Sequence, residues 1–214
     1  MAVSTPVLIA VMAFTMGLAG FVYLKNPSQW VNRAFSMFSL AVAGWTAAIS
    51  LGTSLVNTNS GIFWARTAFA MATLSVYSLV VFFSIFPHAS SFPRSGVLIV
   101  KGIVASFLVI ISASPWILTD LRITGRGLKA EYGPVYPFFA LYIFSSFGYV
   151  LWVVSKKIRA ARGGERLQLK YLFAGLLVPC VFAIVTNLLI PLVFGTSRYS
   201  QYGPLFSFLM VAMI

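Results

Sequence analysis

Negative charge is what the sequence has least of. Three Asp and Glu stand against fifteen Lys and Arg in 214 residues, and only 8% of the chain is charged. A water-soluble domain carries about 25% charged residues, so an ordinary globule and a disordered tail are both excluded. The three acids, Asp120, Glu131 and Glu165, fall between the apolar runs. No run therefore offers a carboxylate for a proton relay, a sodium site or an aspartyl protease pair, which argues against ion-coupled transport. The single cysteine, Cys180, lies inside an apolar run. It leaves no intrachain disulfide and no cysteine-based metal site. The one histidine, His88, follows Pro87 with no His, Cys or carboxylate near it, so neither a metal nor catalysis is expected there. HExxH, GxSxG and a glycine-rich phosphate loop are missing as well. The chain is expected to hold no catalytic residue, no metal and no cofactor.

What is present is apolar: 60% hydrophobic residues, twenty Phe and five Trp, with a mean hydropathy of +0.95. The implied solvent is lipid, where each crossing needs about 20 apolar residues. Apolar runs predict spans over about 6–24, 34–56, 62–86, 97–114, 134–154 and 171–194. A seventh run, 204–214, reaches the last residue about halfway through a crossing. The expected fold is an all-α integral membrane protein, a seven-transmembrane helix bundle whose last helix is truncated. Residues 1–214 form one sensor domain in this reading, and a cytoplasmic output domain is expected after 214.

The net charge of +12 would suggest nucleic acid if it formed one face. Instead, ten of the fifteen basic residues lie in alternate gaps: Lys25 and Arg33, then Arg94 and Lys101, then Lys156, Lys157, Arg159, Arg162, Arg166 and Lys170. The other side holds Arg66, Arg122, Arg126, Lys129 and Arg198. By the positive-inside rule the N-terminus is outside and the C-terminus cytoplasmic, and nucleic acid is not a partner. The first run has no basic residue before it, so it reads as an anchor rather than a signal peptide.

Small residues mark contact faces between membrane helices, as Gly44 with Ala48 and Ala68 with Ala72 would. Pro179, deep in the sixth run, removes a hydrogen bond to the Gly175 carbonyl and predicts a kink, either static or a hinge. The basic connection from Lys156 to Lys170 is expected to lie on the anionic inner leaflet and in part to continue the fifth and sixth spans as helix. The longest outer connection, 116–133, reads as a loop, serving as a tether or as a lid.

Ionisable groups within spans are costly and lead the search for a site. Lys101, about one turn inside the fourth span, is expected to snorkel to the interface. Arg66, about one turn inside the third and near Trp64, either anchors at the interface or turns inward. Facing inward, it offers five donors to a carbonyl or carboxylate, or pairs with Asp120 or Glu131. Asn187, one turn before Pro191, must bond to another helix, the backbone, water or a ligand, with interhelical bonding the default. Tyr136 and Trp45 are aromatic candidates to line the same pocket, although packing explains them as well. The expected ligand-binding set is Arg66, Asn187, Tyr136 and Trp45 around an outer-half cavity.

Several motifs occur in a telling order. Asn26-Pro27 precedes Asn32-Arg33-Ala34-Phe35, then Phe38, Leu40 and Trp45. Later come Ala161-Arg162-Gly163-Gly164-Glu165-Arg166-Leu167-Gln168-Leu169-Lys170-Tyr171-Leu172-Phe173, Thr186-Asn187-Leu188-Leu189 and Tyr202-Gly203-Pro204-Leu205-Phe206. Together, over nearly the whole chain, they resemble the N-terminal seven-helix sensor module of bacterial histidine kinases, which also precedes diguanylate cyclase outputs. The resemblance implies a multi-pass receptor in the bacterial inner membrane whose seventh helix runs into a cytoplasmic coiled coil and a dimeric kinase. The phosphoacceptor His and ATP site would lie beyond this chain. Its partners would be the lipid bilayer, a small-molecule signal that the sequence does not identify, a second copy through the output region, and a response regulator reached through the kinase. A transporter or channel is the alternative, though neither an inverted repeat nor a membrane carboxylate supports it. A retinal-type photoreceptor would need a buried Schiff-base Lys with a counter-ion, which the visible part of the seventh run lacks.

Overall fold

A long apolar run in lipid can satisfy its backbone only within itself, and the helix does so. The computed structural model describes residues 5–55, 59–87, 95–124, 127–190, 193, 202, 203, 205, 206, 208 and 211. Within these, α1 is Thr5–Lys25, α2 Trp30–Ser54, α3 Asn59–Ile85, α4 Gly96–Ser112, α5 Tyr136–Ala160 and α6 Gly163–Ile184, followed by a π turn at Val185–Leu189. Five segments among the described residues are long and apolar enough to cross a membrane: Pro6–Lys25, Trp30–Ser54, Ser60–Ile85, Tyr136–Ala160 and Gly163–Leu189. The fourth predicted span is the shorter α4, whose 17 residues rise about 25 Å, at the lower limit for a crossing. Of the seventh predicted span, Leu205, Phe206, Phe208 and Val211 are helical, as is Gly203 just before it. His88, Arg94, Arg126, Pro191, Arg198, Pro204, Ile214 and the predicted span ends at 56 and 194 lie outside the described residues.

The basic connection between the fifth and sixth spans is helical on both sides. α5 continues to Ala160 and α6 begins at Gly163, leaving only Ala161 and Arg162 between them. Gly163 takes φ +57 there, a left-handed conformation that costs glycine little. α6 continues through Pro179. Six residues after it begins the π turn that carries Asn187.

The connection 116–133 corrects the expectation of a loop. β1, Leu118–Thr124, pairs antiparallel with β2, Gly127–Tyr132, placing Asp120 opposite Glu131 and Arg122 opposite Lys129. Open strand edges need water or protein partners, so such a ribbon belongs beyond the hydrocarbon. Its base is tied to its start: the Gly133 N–H donates to the Ile117 carbonyl at 3.0 Å and the Val135 N–H to the Trp116 carbonyl at 2.9 Å. A Cβ at Gly133 would overlap the carbonyls of Pro115 and Trp116, so glycine permits this closure.

α3 is the hub, packed by α2, α4, α5 and β1, while α4 and α5 scarcely touch each other. The α2–α3 seam uses the small residues expected of it. Ala48 is fully buried, a Cβ at Gly44 would meet Met71 Sδ at 3.0 Å, and one at Gly52 would meet the Ala65 nitrogen at 3.1 Å. Against α5, Leu79, Val80, Phe82 and Phe83 of α3 form the centre of the core with Phe139, Val150 and Val154. Buried hydroxyls bond within the bundle. Thr46 donates to the Val42 carbonyl and Thr73 to that of Phe69, while Ser36 reaches across to the Ala19 carbonyl of α1 at 2.8 Å. Phe208, from the seventh predicted span, meets Phe14 of α1, 5.3 Å between centroids. Phe206 of the same span stacks on Phe182 of α6 at 4.8 Å.

Candidate functional site

The four residues expected to line one pocket are brought together two by two. Arg66, half-buried on α3, donates from Nε to the Leu118 carbonyl at 3.1 Å. A guanidinium near apolar surroundings needs an acceptor, and this backbone oxygen at the start of β1 supplies one. Leu118 pairs with Tyr132 across the ribbon, and the Tyr132 ring stacks on that of Tyr136 with centroids 3.9 Å apart. Phe69, one turn beyond Arg66, presents its ring edge-to-face toward Tyr132, Tyr136 and Phe139. Arg66 and Tyr136 thus stand on either side of the foot of the hairpin. Tyr136 is only 2% exposed, and its hydroxyl is buried with no hydrogen-bond partner among the described residues.

Asp120 takes another basic partner, Arg122, whose Nε donates to Oδ2 at 2.5 Å. That bond, together with the Leu121 N–H donating to Oδ1 at 2.7 Å, holds the Asp120 carboxyl below its usual range. The same pairing raises Arg122 further.

The second pair sits where the π turn meets the seventh helix. Asn187 Nδ2 donates to the Ala183 carbonyl and to Thr186 Oγ1, both at 3.0 Å. Gly203 is buried, and a Cβ there would overlap the Asn187 amide and come within 2.8 Å of the Trp45 ring. Trp45 of α2 and Asn187 therefore converge on the backbone at Gly203. A π turn inserts one extra residue into the helical ladder and is frequent at functional sites. Here it puts an amide against a position where a side chain would not fit.

Lys101 departs from the expectation of snorkelling. Its ammonium turns to α5, donating to Ser146 Oγ at 3.0 Å and Ser145 Oγ at 3.4 Å. It stands 5.6 and 5.8 Å from the ring centroids of Tyr142 and Tyr149. A cavity of about 530 Å³ opens beside it between α4 and α5, and none of the four expected site residues lines it. Lys157, expected on the lipid leaflet, instead reaches the carbonyls at the end of α3. The adjacent hydroxyls Ser145 and Ser146 inside an apolar span were the available signal for Lys101; for Gly203 there was only the motif in which it stands. Among the described residues, no group of three His, Cys, Asp or Glu could hold a metal.

Compared with family models, residues 7–214 match that of the N-terminal 7TM region of histidine kinase. No curated protein matches the chain.

Proposed function

The chain belongs to the N-terminal 7TM regions of histidine kinases, and from that premise we propose that it is the membrane sensor of such a kinase. An apolar or amphiphilic signal binds at Trp45 and Asn187 and biases the seventh helix between two packings. The observation that carries this reading is the fit of Gly203 against Asn187 and Trp45. The helix taken to lead out of the domain lies against the Asn187 amide of the π turn, so a ligand engaging that amide acts on the exit helix without an intermediate. A ligand shifts such an equilibrium only by its differential affinity for the two packings. Arg66 and Tyr136 then couple the hairpin foot to the same bundle through α3.

In this reading the protein is a multi-pass component of the bacterial inner membrane, N-terminus outside, with the seventh helix entering a cytoplasmic kinase. The kinase part would form the homodimer and pass phosphate to a response regulator. The test uses full-length protein in lipid nanodiscs and follows autophosphorylation. Asn187→Leu and Trp45→Ala, each checked for intact folding, should shift the basal rate several-fold, because both change the bed of the seventh helix. Parental rates in both variants would overturn the reading.

A further inference from the structure

The groove between α4 and α5 is a second site with its own chemistry. Both helices pack on α3 and scarcely on each other, which leaves a cavity of about 530 Å³ between them, within the range of roughly 300–1,000 Å³ typical of small-molecule sites. Seven of its ten lining residues are apolar, and the three polar ones, Lys101, Tyr142 and Ser145, stand together. The Tyr142 hydroxyl is buried without a hydrogen-bond partner among the described residues. The chain's three carboxylates lie in the hairpin and in the first turn of α6, away from this groove. Lys101 thus has hydroxyls and aromatic faces around it but no counter-charge, and an intramembrane cation without one is costly.

We propose that this groove binds a long-chain fatty acid, its carboxylate on Lys101 and Tyr142 and its chain along Val104, Phe107, Phe138 and Leu141. The charge is complementary, and a carboxylate that accepts through two oxygens meets an ammonium and the Tyr142 hydroxyl, the Ser145 hydroxyl already donating to the Tyr142 carbonyl at 3.0 Å. The direction fits too. Lys101 lies five residues from the start of α4, about 7.5 Å along the axis, and the lining runs from it past Val104 to Phe107, about 9 Å further along α4, and to Phe138 near the start of α5. An amphiphile in the nearer leaflet lies in that same sense, head toward its own face and tail toward the middle. A phospholipid would bring glycerol esters into a groove with no further polar partner, leaving them unpaired. This site stands apart from the Trp45–Asn187 cluster and does not rest on the sensing role.

The test places the chain in phosphatidylcholine nanodiscs with a hexadecanoic acid carrying a photoreactive diazirine in its tail. Labelling should map to α4 and α5 peptides, and palmitate should compete where hexadecanol does not. Lys101→Met should weaken labelling about tenfold or more, the loss expected for a charge-assisted hydrogen bond, while Lys101→Arg should retain most of it. Val104→Trp, which fills the groove and leaves Lys101 in place, should also abolish labelling, a check that does not depend on the Lys101 variant folding. Competition by phosphatidylglycerol as strong as that by palmitate would make the occupant a phospholipid and overturn the proposal. So would equal competition by hexadecanol, or labelling that persists in folded Val104→Trp.

Discussion

Lys157 donates its Nζ hydrogen to the Phe83 carbonyl at 2.7 Å, fastening α5 to the C-terminus of α3. The same ammonium reaches the Ser84 carbonyl at 3.1 Å and the Phe86 carbonyl. The last carbonyls of a helix have no partner within it and carry its negative pole, so a cation from a neighbouring helix satisfies both needs. Lys157→Met should lower stability by about 1–3 kcal/mol, the usual cost of orphaned buried acceptors. Thermal unfolding in detergent measures it. Lys156, whose ammonium lies over the Trp152 ring at 5.4 Å, serves as the control. Lys156→Ala should change stability by no more than about 0.5 kcal/mol, and equal losses from the two variants would dismiss the cap.

Arg66 carries a comparable role at the hairpin. Its bond to the Leu118 carbonyl is the only one the structure shows between the α3 side chains and the ribbon backbone among the described residues. Arg66→Leu should therefore loosen the hairpin, seen as faster amide exchange over residues 118–132 while α2 and α3 keep their protection. Arg66→Lys should restore part of it, since it keeps a charged donor but loses the planar fork. Unchanged exchange in Arg66→Leu would mean that the tyrosine stack alone seats the ribbon.

The hairpin also has a defined acid response. Asp120 titrates below its usual value of 3.8, chiefly through the hydrogen bond from Arg122. A carboxyl depressed on folding contributes its stabilisation above the unfolded pKa and loses it as pH falls through the folded one. The Asp120–Arg122 pair should thus persist at neutral pH and release only in acid below the ordinary carboxylate range. Carboxyl NMR shifts would follow it, and Arg122→Gln should return the Asp120 midpoint toward the usual value. A midpoint unmoved by that change would remove Arg122 as the cause.

The distribution of these contacts shows what the chain order reveals and what it hides. Apolar run length marked the long helices, and small residues such as Gly44 and Ala48 marked the α2–α3 seam, because both are properties of one segment at a time. The hairpin was readable in principle: Gly125-Arg126-Gly127 divides two short stretches in which polar and apolar residues alternate, a turn signal between strands. An all-helical membrane frame gives such a connection no reason to pair, which is why it reads as a loop. Lys101 and Lys157 were misplaced for a different reason. Snorkelling assumes that a long cation seeks the nearest interface, whereas both found acceptors on a neighbouring helix, and interhelical register leaves no trace in periodicity. The π turn at Asn187 is similar, since Pro179 marked a disturbance in the sixth span but not the π turn that begins six residues after it.

Orientation is open to a direct measurement. The excess of basic residues in alternate connections expects the N-terminus outside. Reporter fusions after Ser60 and after Gly164 should read outside and cytoplasm respectively. The reverse pattern would reject the charge argument.

The contact at Gly203 offers the most discriminating substitution. Any side chain at Gly203 would overlap the Asn187 amide and crowd the Trp45 ring, so Gly203→Val should displace the seventh helix from its seat. Interiors are close-packed and resist such insertion, at a typical cost of 1–3 kcal/mol. In a bundle with two accessible packings, that cost falls on the packing in which Gly203 meets Asn187. The expected result is a folded protein whose basal autophosphorylation differs several-fold from the parent. Adding Asn187→Gly removes the amide that the valine would strike, and should return the rate toward the parental value without changing the charge of the bundle. If Gly203→Val leaves output unchanged, or if Asn187→Gly fails to relieve it while Trp45→Ala succeeds, then the indole of Trp45, and not the π turn, is what the seventh helix rests against.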